Sequence, residues 1–177
     1  PRIWTKFQEI VLSKIPQKRL NWILKTPIIK DFFKVKLKQK LGLKHAKITI
    51  SGAAPVSLEV INWYKNIDIE IFQIYGMTED CCISHFNIPP NNKIGTVGRP
   101  LPGVKTKISE EGEICIKNNC LMKGYYKNPD LTMKTFDQDG YLKTGDKGKY
   151  DEEGNLIITG RIKDQFKTDK GKYISPS

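Results

Sequence analysis

Four short clusters concentrate the chemistry of this 177-residue chain: Ser51-Gly52-Ala53-Ala54-Pro55, Tyr75-Gly76-Met77-Thr78-Glu79, Thr144-Gly145-Asp146 and Gly160-Arg161-Ile162-Lys163-Asp164. A loop of small residues lets a flat ring approach the backbone, whose N–H and C=O groups can read its edge. Tyr75 adds an aromatic face, and Thr78 puts a hydroxyl beside the carboxylate of Glu79. Asp146 offers a second carboxylate able to accept two hydroxyls, and Arg161 a permanent charge that donates through two nitrogens. Together these are the parts needed to hold a nucleotide, and a carboxylate such as Glu79 suits the hard Mg2+ ion. Singly, each cluster has a plainer reading: a strand-to-helix turn at 51–55, an exposed acid at Glu79, a lysine-rich surface loop around Lys163 and Lys167.

Positioning these groups requires strand ends and turns, and the apolar periodicity supplies them. Residues 1 to about 43 read as helical, interrupted at Pro16 and at Thr26-Pro27. Within them, 31–41 repeats Phe33, Leu37 and Leu41 every four residues among lysines, with Gly42 placed as a helix terminator. Residues 46–50 alternate as a short strand, Ser57 can cap a helix running to about Lys65 with Leu58, Val60, Ile61 and Trp63 inward, and 67–74 reads as the next strand. Strand, small-residue turn, helix and strand make a βαβ unit, which puts a ligand site at the strand ends where Ser51-Gly52 and Tyr75-Gly76 fall. From Gly95 onward, short strands at 103–108, 113–117, 141–142 and 155–159 alternate with glycine turns, 151–155 being a hairpin turn by composition. The fold class is therefore α/β: a basic helical segment, a βαβ unit, and a small antiparallel or barrel-like β subdomain.

Charge is distributed as unevenly as texture. Residues 1–50 hold 13 lysines and arginines against two acids, which accounts for the whole net charge of +11. A solvated helical face is the ordinary meaning of such a run, and a surface for anionic lipid or an acidic partner is the alternative. Nucleic acid is disfavoured: the run carries no helix-turn-helix or RNP-type signature, and Phe32 and Phe33 sit where a helix core would want them. The four cysteines, Cys81, Cys82, Cys115 and Cys120, form no C-x-x-C pair, and Cys81-Cys82 with His85 lacks a fourth zinc ligand, so buried or half-buried reduced thiols of a cytosolic protein are expected. No apolar run approaches the roughly 20 residues of a membrane span. The start at Pro1-Arg2-Ile3-Trp4, without a methionine or a signal-peptide core, reads as a start inside a longer protein.

The order of the four clusters resembles the adenylate-forming (AMP-binding) superfamily of acyl-CoA synthetases, luciferases and peptide-synthetase adenylation domains. The opening Pro1-Arg2-Ile3-Trp4-Thr5-Lys6, the basic helical insert and the 166–173 stretch look most like long-chain fatty acyl-CoA synthetases. The resemblance implies ATP, Mg2+ and coenzyme A as cofactors, a fatty acid as substrate, and a cytoplasmic enzyme with peripheral membrane contact through the basic segment. It implies that Ser51, Gly52, Ala53, Ala54 and Pro55 line the adenine site together with Tyr75, Gly76 and Met77, that Thr78 meets the phosphate, and that Glu79 ligates the metal. It gives Asp146 and Arg161 to the ribose, makes Lys163 the hinge of a rotating C-terminal domain, and brings Lys167 into the site after rotation. Gly95-Thr96-Val97-Gly98-Arg99-Pro100 and Gly124-Tyr125-Tyr126 match the superfamily as structural stretches.

The superfamily's phosphate loop and C-terminal lysine have no counterpart in the 177 residues, so the resemblance implies a segment inactive on its own. It divides as 1–94 (helical and βαβ part of the AMP-binding N-terminal domain), 95–160 (its β-rich subdomain) and 161–177 (hinge and start of the next domain). Two rivals stay open: another adenylating enzyme, such as an aryl-CoA ligase or a peptide-synthetase adenylation domain, and a basic membrane- or nucleic-acid-binding module indifferent to ATP.

Overall fold

The computed structural model describes residues 2–162 and, beyond them, the backbone of two short paired strands at 166–167 and 173–174. Lys163, the expected hinge, lies outside the described residues, as do the side chain of Lys167 and Gly171, which the family resemblance puts in the same entering loop. The chain divides into two compact units, Pro1–Phe72 and Gln73–Ser177.

In the first unit, helices α1 (Arg2–Lys14), α2 (Gln17–Lys25) and α3 (Ile29–Lys40) are separated at the two expected breaks. α3 ends as its sequence asks: Gly42 takes the left-handed conformation, its N–H donates to the Gln39 carbonyl, and that of Leu43 donates to the Lys38 carbonyl, so the last carbonyls are satisfied. Leu37 is buried and Phe33 half-buried, but Phe32 is 67% exposed, so the expectation that both phenylalanines serve a helix core holds for Phe33 only. The reason is angular: on a 100° repeat adjacent residues point to different faces.

Strand β1 is confined to Thr49–Ser51, and α4 (Leu58–Asn66) begins where Ser57 accepts the Val60 N–H at 3.3 Å. Strand β2 (Ile71–Tyr75) starts later than the apolar run suggested, because Ile67 and Ile69 both send their N–H groups back to the Tyr64 carbonyl, with Asp68 left-handed between them. β1 lies beside β2 in the sheet, so the order strand, helix, adjacent strand is as expected. The unit's core gathers Trp4, Val60, Ile61, Trp63, Tyr64 and Ile71. Tyr64 meets Trp4 and Trp63 edge-to-face with centroids 5.1 and 4.9 Å away, and its hydroxyl donates to the Trp4 carbonyl at 2.8 Å. Each such aromatic pair contributes about 0.5–1.5 kcal/mol beyond burial. Burial pushes the Tyr64 phenol up to about 12, so it remains a donor.

In the second unit, the end of β2 pairs antiparallel with β3 (His85–Phe86), which pairs with β4 (Arg99–Pro100). A four-stranded antiparallel meander follows, β5 (Lys105–Ile108), β6 (Glu113–Lys117), β7 (Leu142–Tyr150) and β8 (Leu156–Arg161), with α5 (Pro129–Thr135) inserted before β7. β7 runs nine residues where the sequence marked only 141–142. Its glycines and lysines have no alternation of their own, and pairing on both edges with β6 and β8 makes it a strand. Val97, Ile114, Ile116 and Leu156 form the buried cluster, and the Tyr75 ring packs against it. Among the cysteines only Cys115 is buried; Cys81, Cys82 and Cys120 are exposed free thiols, contrary to the expected burial. Exposure follows from their place in turns. Among the described residues no helix is long and apolar enough to cross a membrane.

Candidate active site

Tyr75 is the last residue of β2, facing His85 in register. Its hydroxyl donates to Oδ2 of Asp146 at 2.8 Å, and Arg161 Nε lies 3.2 Å from Oδ1 of the same carboxylate. Asp146 sits directly across from Arg161 in the β7–β8 register, so the ladder delivers the guanidinium to the acid. Tyr75 and Arg161, 86 positions apart, thus converge on one carboxylate. Burial, followed by the Asp146 charge, holds the Tyr75 phenol well above its ordinary range, so it stays protonated and donating. The pair with Arg161 is weak in itself, with the Arg161 side chain 70% exposed, and serves orientation more than stability.

The sequence placed Asp146 beyond a strand; it lies within β7. Gly145 there adopts φ +75°, a conformation open to glycine at little cost. Its N–H donates to Glu113 Oε1 at 2.8 Å and its carbonyl accepts the Ile162 N–H at 2.8 Å. The Thr144 hydroxyl donates to the Ile114 carbonyl and accepts the Asp146 N–H. The Thr-Gly-Asp segment is therefore locked on both sides, with the Asp146 side chain 16% exposed.

After Tyr75 the chain turns sharply. A Cβ on Gly76 would fall 2.4 Å from the Cys82 carbonyl carbon, so no other residue fits without moving backbone. A single 3-10 turn, Thr78–Asp80, follows, and Cys81 and Cys82 take φ of +61° and +71°. Two consecutive left-handed non-glycine residues cost of order 1–3 kcal/mol each. The buried Asp80 carboxylate holds them: its Oδ1 accepts the N–H groups of Met77 at 2.8 Å and Cys82 at 3.2 Å, while burial raises its pKa. Thr78 is exposed at the tip, and Glu79 is half-buried with Oε1 accepting the Tyr125 hydroxyl at 2.7 Å. The other Glu79 oxygen has no partner among the described residues. No group of three His, Cys, Asp or Glu side chains that could cage a metal occurs among them either. One carboxylate beside a hydroxyl is the donor set of a hard cation that takes its remaining ligands from water and phosphate, as Mg2+ does.

His85, weighed in the sequence only as a zinc ligand, is buried beneath this loop. Its Nδ1 lies 3.0 Å from the Ser84 hydroxyl and its Nε2 3.3 Å from that of Thr106, and burial lowers its pKa to about 4. It is neutral support for the strand that carries Tyr75. In the first unit, Ser51 ends β1 buried with its Oγ unpartnered among the described residues, Ala53 takes φ +64°, and Ala53, Ala54 and Pro55 are exposed. Two site residues escaped sequence reasoning. In the sequence Asp80 is overshadowed by its neighbour Glu79, and Gly124-Tyr125-Tyr126 carries only a structural reading, although a phenol after a glycine turn is the signal that marks Tyr125.

The description "AMP-binding enzyme" matches residues 4–126. The chain is 37% identical over 145 residues to the long-chain-fatty-acid–CoA ligase FadD15 of Mycobacterium bovis, covering 80% of this chain and 23% of that protein. Among solved structures, ATP-bound MatB from Rhodopseudomonas palustris superposes with a TM-score of 0.71 at 30% identity over 88% of this chain and 31% of MatB. The anthranilate CoA ligase AuaEII in complex with anthranoyl-AMP superposes at 0.68 and 25% identity, over 76% of this chain and 28% of that one. The chain spans about a quarter of the length of the curated relatives it matches. With the motif order, the α/β architecture and these similarities in agreement, the chain belongs to the AMP-binding, adenylate-forming enzyme family.

Proposed function

We propose that the chain is the nucleotide-gripping part of an ATP-dependent, AMP-forming acyl-CoA ligase acting on long-chain fatty acids. The observation that carries this reading is the convergence of Tyr75 and Arg161 on Asp146. A carboxylate held by one neutral and one cationic donor keeps lone pairs free for the two hydroxyls of a ribose, and the Tyr75 ring beside it offers a face to adenine. The family resemblance assigns Ser51, Gly52, Ala53, Ala54 and Pro55 to the adenine, and Gly76 and Met77 likewise. Thr78 donates to the phosphate, and Glu79 is the protein ligand of Mg2+.

In the first half-reaction a fatty-acid carboxylate oxygen attacks the α-phosphorus of ATP, the α–β anhydride bond breaks and pyrophosphate leaves. In the second, the CoA sulfur attacks the acyl carbon, AMP leaves and the thiol proton passes to solvent. Mg2+, when bound, offsets the charge that builds on the phosphates. The residues of this chain orient the nucleotide, which turns an encounter into a positioned reaction. Lys163 is the hinge between the two half-reactions, and Lys167 enters the site for one of them. On this reading residues 1–94 and 95–160 are two parts of one AMP-binding domain and 161–177 is the hinge region, in a cytoplasmic protein.

Fatty acid is favoured over an aryl acid by the higher identity to FadD15 than to AuaEII. Peripheral contact with anionic lipid is supported by Trp22, Ile28 and Phe32, which are 62%, 85% and 67% exposed among the lysines of α2 and α3. The test is ATP–pyrophosphate exchange by the full-length protein with palmitate and with anthranilate. Palmitate-dependent exchange, with a raised KM for ATP in Asp146→Ala, is expected. Exchange with anthranilate alone would replace the fatty acid by an aryl acid, and exchange with neither would remove the ligase reading.

A further inference from the structure

Glu79 is held at two points by a segment more than forty residues downstream. The Met122 N–H donates to the Glu79 carbonyl at 2.8 Å, and the Tyr125 hydroxyl donates to Glu79 Oε1 at 2.7 Å. The phenol has a rigid base of its own. The Tyr125 N–H donates to the Thr132 hydroxyl at 2.9 Å, that hydroxyl donates to the Asn128 carbonyl, and the Asn128 side chain caps α5 through the Leu131 N–H. Gly124 allows the close approach, since a Cβ there would sit 2.8 Å from the Thr132 methyl. Backbone and carboxylate of residue 79 are thus both set by this anchored turn.

We propose that Tyr125 is the positioning residue of the Glu79 carboxylate, holding Oε1 so that the second oxygen faces a divalent cation. The choice of donor matters. A lysine or arginine at this position would neutralise the charge that attracts the cation, whereas a phenol fixes the carboxylate and leaves its full negative charge available. A long, otherwise freely rotating acid is thereby restricted before any ligand arrives. The inference rests on the reading of Glu79 as a metal ligand, and the experiment separates the two.

Mn2+ is the probe, titrated by electron paramagnetic resonance into the full-length protein saturated with the non-hydrolysable α,β-methylene analogue of ATP, for wild type, Tyr125→Phe, Glu79→Gln and the double variant. A hydrogen bond to a charged group is worth enough that its loss should weaken Mn2+ binding by about tenfold in Tyr125→Phe. The Mg2+ concentration for half-maximal adenylation should rise equally, with kcat at saturating Mg2+ largely retained. The double variant should bind no more weakly than Glu79→Gln, because Tyr125 acts only through the Glu79 carboxylate. Wild-type Mn2+ affinity in Tyr125→Phe alongside loss in Glu79→Gln overturns the role of Tyr125 and leaves the metal ligand standing. Wild-type affinity in Glu79→Gln overturns both. A uniform fall in kcat at all Mg2+ concentrations would make Tyr125 a merely structural residue.

Discussion

Removing one oxygen from Tyr75 tests the central convergence most directly. In Tyr75→Phe the ring still packs on Val97, Ile114, Ile116 and Leu156, but the 2.8 Å hydrogen bond to Asp146 is gone. Hydrogen bonds to charged groups contribute about 1.5–3 kcal/mol. Asp146 keeps Arg161 at 3.2 Å and its side chain is 16% exposed, so water can take part of the vacated site and the loss belongs at the low end, about 1.5 kcal/mol. At about 1.4 kcal/mol per tenfold, the freed carboxylate should raise the KM for ATP by roughly tenfold. The turnover number should change less, because on the proposed reading the lost contact orients a group that meets the ribose in ground and transition states alike. The assay is ATP–pyrophosphate exchange with the full-length protein across ATP concentrations. The phenol is held protonated far above neutrality, so the ratio of variant to wild type should not change between pH 6 and 9. An unchanged KM for ATP would mean that Asp146 is oriented by Arg161 and its own backbone alone. A ratio that varies with pH in that range would mean that the phenol titrates, contrary to its burial.

Two further outcomes follow from other parts of the structure. His85 has a folded-state pKa lowered from 6.5 to about 4, so its stabilising contribution is fully present above pH 6.5 and declines as pH falls toward 4, by about 3 kcal/mol at most. Thermal unfolding of His85→Gln should therefore show a shallower acid dependence than wild type, and an identical slope would place the proton elsewhere. Comparing the two proteins isolates His85 from Asp80, whose raised pKa works in the opposite direction. Reversing Lys25, Lys36 and Lys40 to glutamate should weaken binding to anionic vesicles in a cosedimentation assay, at about 1 kcal/mol for each basic residue removed from the surface. Lys34 is spared in that design because it pairs with Asp68 at 2.9 Å with its side chain only 15% exposed. Salt-insensitive binding, or none in the wild type, would leave the basic face simply solvated.

Local chemistry by itself determined much of this protein. The breaks at Pro16 and Pro27, the terminator at Gly42 and the cap at Ser57 act within a few residues of themselves, so their outcomes were legible from sequence alone. The motif order likewise nominates Tyr75, Glu79, Asp146 and Arg161 as candidate site residues, because each stands in a short cluster marked by residue type and a nearby glycine. What only the tertiary structure decided is which of them meet. Nothing in a Thr-Gly-Asp tripeptide says that it lies inside a nine-residue strand: β7 exists because β6 and β8 pair with both its edges, and that pairing carries Arg161 across to Asp146. The same holds for Phe32, whose exposure depends on what α3 packs against, and for His85, whose neutrality comes from burial rather than from any neighbour in sequence. Tyr125 reaches Glu79 across 46 positions. Contacts of that separation are settled by the close packing of whole elements, a property that no window of residues contains.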